Sequence, residues 1–278
     1  MDTILKEQGL NPWNVDHICH IVYRAEKKHF EMHFDISGVP YGKPGELVHK
    51  YIEDIFDKSI THTTHSGSMQ LPSKFHHGLI ILLHTSHHLT GEGIGLRYLC
   101  DWAVFLNSCS DEEFKDLFEE KFRAIGMWKF ACVLSQICIK YLGCKPKPCL
   151  MNINSDISKE LIDDILLSGN FGKKDLVNRL YQSSLISDRG KSGINEKSML
   201  FFFIHSKNVS IRRRWRLAKR YPAIILFGWI YFGAKKIIDM IRKGNKVNDI
   251  KRTIDLASQR RSIYSKLRIF EPENHQSI

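Results

Sequence analysis

Residues 71–107 carry the strongest local signals in this sequence and predict two helices joined by a tight turn. They read LPSKFHHGLIILLHTSHHLTGEGIGLRYLCDWAVFLN. Leu71-Pro72-Ser73 is typical of a strand end and a turn followed by a helix N-cap, because a Ser side chain accepts backbone N–H bonds at a helix start. Three glycines at positions 91, 93 and 95 then end the helix and turn the chain.

The first of these helices has two different faces. At 100° per residue, one arc contains Phe75, Leu79, Leu82, Leu83, Ser86 and Leu89. The opposite arc carries the histidine stripe, defined as His77, Ile81, His84 and His88. An apolar arc predicts burial, so three imidazoles are left on the other face. Each imidazole taken singly is more typical of a solvated or hydrogen-bonded surface histidine.

The second helix places Arg97 and Asp101 one turn apart. Such a pair is commonly a surface ion pair worth a few tenths of a kcal/mol. The residues expected to point inward are Leu96, Leu99, Cys100, Ala103 and Leu106.

The histidine spacing also raises a metal-site hypothesis. His84 and His88 are four residues apart, but the segment lacks the Glu of a H-E-x-x-H site, which excludes a zinc protease of that class. A metal hydrolase using His77, His84 and His88 is the remaining metal-enzyme hypothesis.

Two hairpins are predicted before the first helix. Residues 17–24 and 29–34 are rich in β-forming side chains and are joined by a short turn. Phe30, Met32 and Phe34 share one face of the second strand, whereas Glu31 and His33 share the other. A smaller hairpin is predicted from residues 59–64 and 68–71.

Residues 28–107 resemble a family of bacterial uncharacterised nucleotidyltransferases, distantly related to minimal, aminoglycoside and lincosamide nucleotidyltransferase domains. The residues that carry the resemblance are the strand Phe30-Glu31-Met32-His33-Phe34, the entry Leu71-Pro72-Ser73, His84 and His88, and Arg97 with Asp101. The tail from Arg220-Tyr221-Pro222 to Leu267 is similar to the family's basic helical C-terminus.

The resemblance implies transfer of a nucleoside monophosphate from NTP to an unknown acceptor, with Mg²⁺. Two divalent cations in such a site need three converging carboxylates. The resemblance puts Glu31 in the place of the third carboxylate, as a catalytic and metal-binding residue. It also implies that His33, His84, His88, Arg97 and Asp101 shape the cleft. An exposed strand glutamate is the competing interpretation of Glu31.

The sequence departs from the family before the first hairpin. A Gly-Ser turn and a strand ending in Asp-x-Asp are expected there, yet the Gly67-Ser68 pair lies downstream of the hairpin. One carboxylate does not hold two Mg²⁺ ions. We therefore expect an N-terminally truncated member with an incomplete active site. The alternative is a catalytically incompetent remnant that binds a nucleotide, a partner or a membrane surface.

Positive charge is concentrated near the C-terminus. Residues 211–268 hold seventeen Lys or Arg against three acids, a net charge of +14, whereas the whole chain carries +11. This asymmetry favours an anionic partner or an acidic membrane surface. The apolar run 223–234 is shorter than the ~20 residues that span a bilayer, so no transmembrane helix is predicted.

The seven cysteines form no C-x-x-C pair, which favours reduced structural thiols. We expect a cytoplasmic protein. The alternative is a cytoplasmic protein that lies at the membrane periphery. The predicted fold is α+β, a partial nucleotidyltransferase-like β-sheet followed by a mostly helical body. The predicted domains are a partial α/β region at 1–71, a helical domain at 72–206, a basic helical region at 207–270 and a disordered tail at 271–278.

Overall fold

The computed structural model divides into two compact units, residues 1–89 and 90–278. Predictions for residues 169–207, 243–259 and 273–278 lie outside the residues that the structure describes. The described residues are 2–14, 20–25, 28–40, 42–90, 93–151, 155–168, 208, 211–212, 215, 217–221, 223–242, 260 and 262–272.

The first unit contains the strands and the histidine helix. Its elements are, in order, α1 (Asp2–Glu7), β1 (Asn11–Asn14), β2 (His20–Ala25), β3 (Lys28–His33), α2 (Lys43–Ile52), β4 (Ile60–Thr64), β5 (Gly67–Leu71) and α3 (Lys74–Thr90). Both predicted hairpins are confirmed, since β2 pairs with β3 and β4 pairs with β5, each antiparallel. The α+β prediction is likewise confirmed.

Strand β1 was not predicted from the sequence. It is one of the two edge strands of the three-stranded sheet β1-β2-β3, and its register shifts between Pro12 and Asn14. Pro has no N–H to donate to a sheet, so it is tolerated at an edge or an irregularity. A four-residue strand that contains Pro gives almost no β signal, which explains the omission.

Helix α3 begins and packs as its sequence predicts. The backbone N–H of His76 donates to Ser73 Oγ over 3.4 Å, and that of His77 donates to the Ser73 carbonyl over 2.8 Å. The predicted apolar arc is buried at Leu79, Leu82, Leu83, Ser86 and Leu89. Burial of these leucines supplies roughly 1.5–3 kcal/mol each.

The second unit is helical in its described part. Its helices are α4 (Leu96–Asn107), α5 (Asp111–Ala124), α6 (Trp128–Leu142), a 3₁₀ turn (Pro148–Leu150), α7 (Ser155–Ser168), α8 (Leu217–Arg220) and α9 (Ile224–Arg242). Residues 262–267 are also helical. Helix α5 begins with a capping box, in which Ser110 Oγ accepts from the Glu113 N–H and Glu113 accepts from the Ser110 N–H.

The core of the second unit is aromatic. Trp102, Phe114, Phe118 and Phe122 are fully buried, and α4 packs against α6. The indole N–H of Trp102 donates to Ser135 Oγ over 3.0 Å, so these two buried polar groups satisfy each other.

The inward face predicted for α4 is partly wrong. Leu99, Ala103 and Leu106 are buried as expected, but Leu96 is 47% exposed and Cys100 is also exposed. The buried arc extends instead towards Trp102 and Phe105. Trp102 and Phe105 pack in the aromatic core of the second unit, and this orientation of α4 leaves Leu96 and Cys100 at the surface.

The described cysteines, from Cys100 onward, are all free thiols. Burial raises the pKa of Cys138, and it raises the pKa of Cys149 to about 12. Both thiols are therefore protonated at neutral pH, which fits the predicted structural role. Across the described residues, no helix combines the length and the apolarity that crossing a membrane requires.

Candidate functional site

Two imidazoles and a carboxylate meet on one face of the β2–β3 hairpin. His20 lies opposite His33 and Val22 lies opposite Glu31 in the antiparallel register. Directly opposed residues point to the same side of a sheet, and so do residues two apart. His20, Glu31 and His33 therefore share a side, and we call them the hairpin face.

The side chains of the hairpin face are close together. His33 Nε2 lies 3.5 Å from Glu31 Oε2, and the rings of His20 and His33 have centroids 4.8 Å apart. One ligand atom from each of the three residues lies within 4.8 Å of the others. His20 is half-buried, whereas the other two are exposed. This proximity gives the hairpin face the spacing of a candidate cation site.

The sequence predicted two members of this group but missed the third. Glu31 and His33 were placed on one face of the second strand, which the register confirms. His20 lies on the preceding strand, and its membership depends on which residue it opposes. The short sequence between the strands could have supplied that register, since Lys28 pairs with Ala25.

The histidine stripe lies on α3, with His77 exposed and His84 and His88 half-buried. The rings of His84 and His88 are stacked, with centroids 4.6 Å apart, and the His87 ring meets His88 edge-on at 5.5 Å. Among the described residues, His77, His84 and His88 do not form a set of three potential ligands for one ion. The ligand set of the metal-hydrolase hypothesis is therefore not assembled.

His88 is neutral at physiological pH. Burial, followed by the positive charges that His84 and His87 would carry, lowers its pKa to about 4. The unfolded chain therefore binds more protons than the folded one between about pH 6.5 and pH 4. Within that window, His88 makes the protein less stable as the pH falls.

Glu31 opposes this shift and so connects the hairpin face to the histidine stripe. Its carboxylate raises the pKa of His88 against the larger effects of burial and of the neighbouring histidines. An effect of this kind requires the two groups to lie within electrostatic range. Glu31 and His88 therefore lie within electrostatic range of each other.

The loop after β3 packs directly on α3. Gly38 has φ +89°, and a side chain there would collide with the carbonyl oxygen of Leu83 and lie 2.9 Å from the Cβ of His87. Only glycine combines this backbone conformation with so close an approach. The contact holds the chain leaving β3 against the same half of α3 that carries His84 and His88.

A buried histidine that the sequence analysis did not single out anchors the other end of α3. His76 is 1% exposed, and its Nδ1 lies 2.8 Å from Ser73 Oγ. Its Nε2 lies 3.0 Å from the Tyr51 carbonyl and 3.1 Å from Asp54 Oδ1. The hydrogen bond that Lys58 donates lowers the pKa of Asp54, with smaller contributions in the same direction from His76. His76 is a structural histidine that fastens α3 to the end of α2.

Arg97 and Asp101 lie on α4 in the second unit, and both are exposed. Their assignment to the same cleft as the histidine stripe stays a prediction. The proposed roles of Glu31, His33, His84 and His88 stay predictions as well.

The donor atoms of the hairpin face suit a transition metal better than Mg²⁺. Imidazole nitrogens favour Zn²⁺, Fe²⁺, Ni²⁺ and Cu²⁺, whereas Mg²⁺ prefers carboxylate, water and phosphate oxygens. The hairpin face offers one carboxylate to two imidazoles. For Mg²⁺ it offers only the Glu31 carboxylate, so phosphate and water oxygens would have to supply the remaining ligands.

A model of a family described as uncharacterised nucleotidyltransferase matches residues 1–143. The match covers more than half of the 278-residue chain and includes the hairpin face and the histidine stripe. No curated protein and no solved structure matches the chain.

Replacing Gly38 with alanine should loosen the contact between the β3 exit loop and α3. We expect a loss of about 2–4 kcal/mol in the free energy of unfolding, because the new Cβ adds a collision to backbone strain. Urea denaturation measures this change. Gly143→Ala is the matched control, since Gly143 is in the left-handed αL conformation at φ +70° but has no atom within 4 Å of the place that a Cβ would occupy. It should cost only about 1–2 kcal/mol, and equal losses would contradict the packed contact.

Proposed function

Because the chain belongs to the uncharacterised nucleotidyltransferase family, we propose that it transfers a nucleoside monophosphate from NTP to a small-molecule or protein acceptor. An acceptor oxygen would bond to the α-phosphorus while the bond to the bridging oxygen breaks, which releases pyrophosphate. The hydroxyl proton of the acceptor would pass to water. The observation that carries this proposal is the placement of Glu31 on the hairpin face, within electrostatic range of the neutral His88.

Glu31 is the proposed catalytic carboxylate. It supplies negative charge to the hairpin face, where the other two members are the imidazoles of His20 and His33, and this charge also acts on His88. The resemblance implies Mg²⁺ as the cation, and a nucleotide-bound Mg²⁺ takes one or two protein carboxylates beside the phosphates. When bound, this cation would neutralise phosphate charge. Glu31 would orient the bound nucleotide within the site.

The imidazoles and the guanidinium have proposed roles in binding. Neutral His88, whose ring is stacked on that of His84, offers hydrogen bonds without a full positive charge of its own. His33, 3.5 Å from Glu31, orients that carboxylate. Arg97 would meet a phosphate or pair with Asp101, since a guanidinium binds phosphate through paired N–H donors. Each of these roles concerns the binding of the nucleotide rather than the breaking of its bond.

We expect Glu31→Gln to abolish most NTP turnover. The assay is pyrophosphate release from each of the four NTPs with Mg²⁺, together with transfer of α-phosphate label to protein. Loss of the carboxylate should lower the rate on the order of 100-fold, because the amide cannot neutralise a cation. Glu53→Gln makes the same chemical change at an exposed position at the end of α2 and should leave the rate unchanged. Equal rates in wild type and Glu31→Gln would reject the role of Glu31.

A wild-type protein without turnover would favour the second candidate, a non-catalytic binding module. Calorimetry with NTP and Mg²⁺ then separates nucleotide binding from the other roles. Absence of binding at millimolar nucleotide would leave an interaction with a partner or a membrane surface.

One observation favours a membrane surface among these roles. Helix α9 exposes Leu226, Phe227, Ile230 and Tyr231, of which the first three are more than 60% exposed. At helical spacing they fall on one side, and we call them the exposed apolar stripe. Arg212 and Arg220 are exposed in the same unit, within the basic region 211–268. An apolar helix face in a basic region suits an anionic lipid surface.

The double variant Phe227→Ser with Ile230→Ser should weaken binding to anionic vesicles by at least about tenfold, because two large apolar side chains no longer enter the lipid. Co-sedimentation with phosphatidylserine-containing and neutral vesicles measures the effect. The matched control, Leu166→Ser with Leu167→Ser, removes two exposed leucines from α7 and should bind as wild type does. No wild-type binding, or an equal loss in the control, would reject the lipid role.

A further inference from the structure

We propose that His20, Glu31 and His33 bind a divalent transition-metal cation, with Zn²⁺ as the natural occupant. This inference goes beyond nucleotidyl transfer; it shares Glu31 with that proposal but concerns the protein without nucleotide, so it does not depend on turnover. It rests on three potential ligand atoms that lie within 4.8 Å of one another on the hairpin face. Two neutral imidazoles and a carboxylate are a ligand set found in zinc sites that keep a fourth position open.

The chemistry of the donors selects the class of metal. Zn²⁺ binds imidazole nitrogen and carboxylate oxygen at about 2.0–2.2 Å and accepts tetrahedral geometry without a preference from its d-electrons. Mg²⁺ and Ca²⁺ prefer oxygen and seldom take imidazole. Since nitrogen donors outnumber oxygen donors two to one on the hairpin face, a borderline transition metal fits this set better than either of those ions.

The distances are near those of a bound ion. Ligand atoms around tetrahedral zinc lie about 3.3 Å apart, given bond lengths of about 2.0–2.1 Å. The His33 Nε2 to Glu31 Oε2 distance of 3.5 Å already matches this spacing. The ring centroids of His20 and His33 are 4.8 Å apart, and the ring planes meet at 37°. A change in ring orientation would bring one nitrogen of each ring into the coordination sphere of the same ion. No change in backbone pairing is needed.

The pairing of the two strands fixes the backbone positions from which the three ligand side chains extend. His20 and His33 are opposite residues in a hydrogen-bonded pair of strands, and Glu31 follows two positions away on the same side. The side chains of opposite residues in a sheet begin about 4.5–5.5 Å apart at their Cβ atoms. The hairpin therefore presents the three ligands from a regular scaffold, and Glu31 and His33 are exposed enough for an ion to enter.

The competing account is an ion pair between Glu31 and protonated His33, with no metal. An exposed ion pair of this kind contributes about 0–1 kcal/mol. A metal would instead use the same carboxylate oxygen and a neutral imidazole. The two accounts differ in a measurable way, because the ion pair requires neither His20 nor any added ion.

The test is calorimetry with Zn²⁺, and with Co²⁺ as a spectroscopic probe, on the full chain without a polyhistidine tag and without nucleotide. Wild-type protein should bind one equivalent at the hairpin face. His20→Gln and His33→Gln should each weaken that binding by at least about tenfold, because each removes a ligand. His62→Gln, in the β4–β5 hairpin, is the matched control and should bind as wild type does.

A measurement on unmodified protein guards against variants that fail to fold. X-ray absorption of the Zn²⁺-loaded wild-type chain should show nitrogen and oxygen ligands with the scattering pattern of two imidazoles. Sulfur ligands would place the metal on the free cysteines and overturn the proposal. Absence of wild-type binding, or binding that survives both histidine changes, would overturn it too. Because no step uses NTP, these results stand apart from success or failure of the turnover assay.

Discussion

The register of β2 against β3 is the constraint on which the candidate site depends. It sets His20 opposite His33 and Val22 opposite Glu31, so that two imidazoles and a carboxylate share a side. A slip of one residue would turn every side chain of a strand to the other face. Tyr23 is fully buried and Val22 is 8% exposed, and because adjacent strand residues point to opposite faces, both sides of β2 are covered at this point. The cross-strand pairing of β2 with β3 therefore determines which side chains make up the hairpin face.

Helix α3 completes the arrangement through its two faces. Its buried leucines hold the helix in the first unit, and His76 ties its start to the Tyr51 carbonyl and Asp54. Gly38 brings the loop after β3 onto its second half. These contacts keep His88 in surroundings where burial and the adjacent imidazoles make it neutral. The structure thus explains how apolar and backbone contacts bring a strand carboxylate near a helix imidazole.

Local patterns allowed the helices and hairpins to be predicted. Ser73 and the Ser110–Glu113 capping box mark helix starts through bonds within one turn, and the alternation around Glu31 indicated the second strand. These signals depend on neighbours in sequence, which a single chain reveals. The family assignment also came from short motifs in combination, and the match over residues 1–143 confirms it.

Features that depend on distant residues could not be predicted in the same way. His20 joins the hairpin face only through its cross-strand partner, and His76 becomes structural only through α2. Leu96 and Cys100 are exposed because the aromatic core sets the rotation of α4. In each case the deciding contact lies outside the local pattern.

An NMR titration of the His88 imidazole, in wild type and in Glu31→Gln, is the most direct test of the connection between strand and helix. The account predicts a wild-type His88 pKa of about 4. It also predicts a lower value in Glu31→Gln, because the variant lacks the carboxylate that favours the charged imidazole. A His88 that titrates near the ordinary histidine value of about 6.5, with no response to Glu31→Gln, would contradict the account.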